Sequence, residues 1–129
     1  MLAATRILVA IVGLLSLISV YQHWFDVTSL ADARGITTIG AIGNANIRAD
    51  IGGLFLAIAV FAFVAAWKRS TTWLAATWLL PALALLGRLV SLALDGGSSR
   101  VFEPIVVEAV VLTLLGSVYL YWRKLPEGL

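Results

Sequence analysis

The chain has 129 residues, of which 61% are hydrophobic and 12% charged, with a mean hydropathy of +1.01; an ordinary water-soluble domain does not look like this. Cysteine is absent and histidine occurs once, which excludes disulfides, thiolate or multi-histidine metal centres and a cysteine nucleophile; no metal and no cofactor is expected. The net charge is +2 and the pI about 9.4, but the basic residues are scattered at the ends of apolar runs and form no stripe, so nucleic acid is not an expected partner.

The first apolar run, 7–25, follows Arg6 and is long enough to cross a hydrocarbon layer of ~30 Å at roughly 1.5 Å per residue. Ala31-Asp32-Ala33 superficially offers a signal-peptidase site, but the hydrophobic region before it is over-long, and the first helix is expected to be retained. The longest connection, 26–50, is polar and dotted with Gly35, Gly40 and Gly43, leaving room for a short interfacial helix. Asn44 and Asn46 at its end are expected to cap the second span, 51–67. A connection of five residues, 68–72, leads to the third span, 73–94. The turn 95–100 leads to the fourth, 104–122, with Pro104 expected in the first helical turn.

These readings give one all-α domain over 1–129, an integral membrane four-helix bundle of antiparallel up-down topology. Lys and Arg set its orientation: Arg6, Lys68, Arg69, Arg123 and Lys124 stand on one side, against Arg34, Arg48 and Arg100 on the other. Five against three places both termini in the cytoplasm. Trp24, Trp67, Trp73 and Trp122 fall at span ends, where an amphipathic ring prefers the headgroup level. Lipid is as apolar as leucine, so small residues must let the helices approach, and Gly53-x-x-x-Ala57 and Gly87-x-x-x-Ser91 have the required spacing.

Charge inside a span costs roughly 2.5–3.5 kcal/mol, so each such group needs a partner, a water-filled cavity or a role. Arg88 lies roughly 10 Å below the outer end of the third helix and Glu108 roughly 6 Å below the same surface, depths compatible with an ion pair. Asn46, Arg48 and Asp50 gather at the entry to the second span, and Ser16, Ser19 and His23 form a stripe on the first. The expectation is a polar pocket opening outward. Arg48 and Arg88 are its cations, Asp50 and Glu108 its counterions or proton carriers, and Asn46 and His23 complete the ligand-binding set.

For several of these residues a structural role competes with binding. Arg88 and Glu108 can simply be an ion pair orienting two helices, Arg48 and Asp50 lie near the interface where charge is cheap, and His23 sits at a span end. No nucleophile elbow, phosphate loop or dinucleotide fingerprint is present, and no catalytic residue is assigned.

The run Asn46-Ile47-Arg48-Ala49-Asp50-Ile51-Gly52-Gly53, followed by Gly87-Arg88-Leu89-Val90-Ser91 and then Asp95-Gly96, resembles a family of small bacterial four-helix membrane proteins, domain of unknown function 4345. The likeness covers nearly the whole chain in length, span layout and arginine placement. It implies a multi-pass protein of the bacterial inner membrane with those polar positions as its signature, and it implies no reaction.

Three functions compete. The first is binding of a small amphipathic or anionic ligand in the outer pocket; the second is an accessory subunit, packed into a homo-oligomer or a larger membrane complex. The third is a membrane enzyme using Glu108, Asp50 or His23 for proton transfer on a lipophilic substrate. Membrane lipids are partners in every case.

Overall fold

The computed structural model describes residues 1–97 and 99–125, and these are helical with no strand among them. In chain order come α1 (Leu2–Phe25), α2 (Val27–Ala33), α3 (Gly40–Asn46), a π-helical turn (Ile47–Gly52), α4 (Gly53–Lys68), α5 (Thr71–Asp95) and α6 (Ser99–Arg123). Four stretches are long and apolar enough to cross a membrane: Leu2–Phe25, Gly40–Lys68, Thr71–Asp95 and Phe102–Arg123. Only 11% of the most apolar window of α5 is buried within the chain, and Leu83, Leu86 and Val90 are bare. In water such a surface would drive association, whereas in a bilayer it meets its preferred solvent.

Two expectations are corrected at helix starts. The helix that carries the second apolar run begins before 51, because α3, the π-turn and α4 form one continuous helix from Gly40. Asn44 and Asn46 therefore lie inside helical backbone instead of capping it, and the N-cap position of α3 is Ile39, with no side-chain cap. Pro104 likewise does not open the last helix; α6 starts at Ser99 and carries the proline within it. The 26–50 segment does hold a short helix, α2. Ser98, in the expected third turn, lies outside the described residues.

Sequence neighbours pack as neighbours: α1 lies along α4, α4 along α5 and α5 along α6, with a smaller contact between α6 and α1. Alanine makes the closest of these approaches possible. Ala59, Ala62, Ala65 and Ala66 are buried on α4, and Gly13 of α1 sits so near that an added Cβ would lie 3.2 Å from the Ala62 methyl. Gly53 and Gly87, by contrast, have nothing within 4 Å, so those two spacings do not mediate contacts within this chain.

The packed core sits at one end. Val9, Val12, Ala62, Ala65, Leu74, Leu115, Val118 and Trp122 form a single dry cluster where α1 begins, α4 ends, α5 begins and α6 ends. Polar links bind that end as well. Arg6 donates from Nε to the Ala66 carbonyl (2.7 Å) and from its terminal nitrogen to the Trp67 carbonyl (2.9 Å), satisfying acceptors that the end of α4 leaves open. Trp122, expected as a headgroup anchor, is 3% exposed and donates to Thr5 Oγ1 at 2.8 Å, which ties the last helix to the first. Arg69 in the left-handed conformation ends α4 and the Ser70 hydroxyl caps α5, so two residues reverse the chain. The other end is held differently: Val27 and Ile47, with Ile36 and Ile51 beside them, form a small satellite cluster under the 26–50 segment.

Candidate ligand-binding site

The loop end of the bundle carries the charge. Arg88 of α5 donates from Nε to Glu108 Oε1 of α6 at 2.9 Å, with the two side chains 35% and 17% exposed, so the pair is half sheltered but reachable. The second carboxylate oxygen, Glu108 Oε2, is buried without a hydrogen-bond partner.

A third charged group joins them. Arg34, at the end of α2, is electrostatically coupled to both Arg88 and Glu108: partial burial lowers its pKa from the ordinary arginine value, the like charge of Arg88 lowers it further, and Glu108 acts the other way. Its guanidinium lies 6.0 Å from the centre of the Phe55 ring, a cation–π distance. On the same ring His23 stacks at 5.1 Å with an interplanar angle of 27°. His23 Nδ1 is 2.6 Å from the Ser19 carbonyl, which can only accept, so Nδ1 carries a proton and donates it there; Nε2 is buried without a hydrogen-bond partner. The site thus runs from α1 (His23) through α4 (Phe55) and the 26–50 segment (Arg34) to α5 and α6 (Arg88, Glu108).

Other expected members stand apart from it. Arg48 donates from Nε to the Trp24 carbonyl (2.9 Å), and the Trp24 indole donates back to the Arg48 carbonyl (3.1 Å), a reciprocal clamp between the end of α1 and the π-turn. Asp50 and Asn46 are exposed, and no side-chain hydrogen bond of either is found among the described residues. Ser16 and Ser19 return their hydroxyls to Val12 and Leu15 carbonyls of their own helix.

The π-turn explains the clamp. Gly52 ends it, and a Cβ there would lie 2.5 Å from Trp24 Nε1, so only glycine lets α1 come this close. Helical insertions of this kind redirect side chains and occur often at functional sites. The resemblance motif 46–53 therefore covers the π-turn and its glycine, a local backbone feature that links α1 to α4.

Sequence reasoning assigned Arg34 to orientation only and gave Phe55 no role. The legible signal was Gly35, whose φ of +67° closes α2 directly after Arg34. Phe55 offered none, being one aromatic in an apolar helix.

No family model, no curated protein and no solved structure matches the chain.

Proposed function

We propose that this chain is a bacterial inner-membrane protein of up-down topology, its termini in the cytoplasm, that binds a small anionic amphipathic molecule at the charged end of the bundle, which faces outward. One observation carries the reading. Glu108 pairs with Arg88 and lies within electrostatic reach of Arg34, so this three-residue cluster by itself carries one more positive than negative charge, although Asp26, Asp32, Asp50, Asp95 and Glu103 stand at the same end of the bundle. An acid headgroup would neutralise that excess while its hydrocarbon part stays among lipid-facing side chains.

The test is thermal unfolding of the detergent-purified protein with dodecanoate, dodecyl phosphate and uncharged dodecanol. The two anions should raise the melting temperature and the alcohol should not; Arg88→Ala and Arg34→Ala should fold and lose the shift. Equal stabilisation by all three probes, or an undiminished shift in both variants, refutes the reading.

A second reading, an accessory subunit, is favoured by Gly87, which is exposed on α5 with nothing within 4 Å and so leaves a close-approach face to another helix. Gentle extraction would then recover a heteromeric assembly, and a lone chain across mild detergents counts against it.

A further inference from the structure

At the opposite end from the charged site, α5 and α6 part to form a groove of about 310 Å³, lined by Ala75, Trp78, Gly116, Tyr119 and Leu120. That volume lies at the lower end of the roughly 300–1,000 Å³ of ligand pockets. Its chemistry is almost wholly hydrocarbon. The one polar atom of the Trp78 indole donates across the helix pair to the Leu112 carbonyl at 3.0 Å, which pins the ring as a wall and leaves it asking nothing of an occupant. Ala75 and Gly116 keep the floor low: a Cβ on Gly116 would already stand 3.6 Å from the indole nitrogen.

The rim is cationic. Arg123 lies one helical turn beyond Tyr119, roughly 6 Å along the axis, and its guanidinium sits 5.8 Å from the centre of the Tyr119 ring. Lys124 follows, and both side chains are exposed. Arg6, by contrast, is engaged with α4 carbonyls. Among the described residues every Asp and Glu belongs to the other end of the bundle: Asp26, Asp32, Asp50, Asp95, Glu103 and Glu108. Among the described residues nothing acidic therefore stands beside Arg123.

We propose that this groove holds one acyl chain of an anionic glycerophospholipid whose phosphate is bound by Arg123, with Lys124 beside it. A zwitterionic lipid offers the same chain to the same walls, but its own ammonium group offsets the attraction of the guanidinium. Charge complementarity selects the headgroup and the apolar walls fix the depth. The site is separate from the Arg88–Glu108 cluster, so either can exist without the other.

Protein reconstituted in vesicles of equal parts phosphatidylglycerol and phosphatidylcholine, then released into mild detergent, reports the bound lipid by native mass spectrometry. The wild type should retain phosphatidylglycerol in about fivefold preference, the contribution of one basic side chain at an anionic surface. Arg123→Gln should abolish the preference while a lipid of either kind is still carried, and Gly116→Leu, which fills the groove, should lose the bound lipid altogether. Arg123→Lys, keeping the charge, should restore much of the preference. Equal retention of the two lipids by the wild type overturns the proposal, as does an unchanged preference in Arg123→Gln. Should Gly116→Leu fail to fold, the Arg123 pair of variants decides alone.

Discussion

Arg88 and Glu108 meet at 2.9 Å across the α5–α6 interface, and their 35% and 17% exposure sets how much that contact is worth. Fully exposed pairs contribute at most about 1 kcal/mol, and breaking a fully buried pair costs about 3–5 kcal/mol. This pair falls between those limits. A double-mutant cycle through Arg88→Ala and Glu108→Ala, read by reversible unfolding in mixed micelles, should give a coupling of about 1–2 kcal/mol. A coupling near zero would mean that the two side chains do not meet in solution. Glu108→Gln should destabilise more than Arg88→Gln, because it leaves the like charges of Arg88 and Arg34 without the carboxylate that offsets their repulsion.

Adjacent glycines at the start of α4 should respond in opposite directions. Gly52→Ala places a methyl 2.5 Å from the Trp24 indole, so the clamp between Trp24 and Arg48 must open, at a cost of about 1–3 kcal/mol. Gly53→Ala meets nothing within 4 Å and removes a flexible residue from a helix, which should stabilise by about 0.5–1 kcal/mol. Melting temperatures of the two variants in one detergent check this. If both move the same way, the close approach of α1 to the π-turn is not real.

Arg6 is predicted to act as a helix cap and not as a headgroup anchor. Arg6→Ala should lose about 1.5–3 kcal/mol, the range for hydrogen bonds to a charged donor, because the Ala66 and Trp67 carbonyls are left open. Arg6→Lys keeps the positive charge but lacks the forked donor geometry, and should recover less than half of the loss. Full recovery by lysine would show that charge at the membrane surface is what matters there. Stability in detergent and in vesicles distinguishes the two, since a surface anchor loses its effect when the bilayer is removed.

The four spans were legible because uninterrupted apolar runs have no other explanation at this length, and the Arg88–Glu108 contact because intramembrane charge demands a partner. What sequence could not supply was the behaviour of the 26–50 segment. Read as a polar connection, it becomes α2, then a helix continuous with the second span, since the Asn and Ala residues of 40–46 carry no apolar period yet follow a helix already nucleated by 53–68. That extension moved Asn44 and Asn46 from capping positions into the helix and brought the π-turn into existence. Arg34 was hidden for the same reason, because its approach to the Phe55 ring depends on where Gly35 turns the chain. Arg48 is a different case: its partner is a backbone carbonyl, and backbone acceptors leave no trace in composition.

Closure of the bundle should depend on one indole. α6 touches α1 only slightly, and the Trp122–Thr5 hydrogen bond at 2.8 Å is the long-range polar link between them. Trp122→Phe keeps most of the buried ring but loses the donor, and should cost about 1 kcal/mol, the Thr5 hydroxyl keeping its bond to the Leu2 carbonyl. Thr5→Val should cost a similar amount, and the double variant little more than either alone, since both remove the same bond. Trp122→Ala is different in kind: it opens a cavity next to Val118 and Leu115 in the dry core and should cost about 3–5 kcal/mol. Because the core joins all four spans at this end, that loss should also loosen α6 from α5 and raise hydrogen exchange along 111–122 above that of 55–66. Exchange that rises equally in both stretches would instead place Trp122 within a single cooperative unit, with no separately detachable last helix.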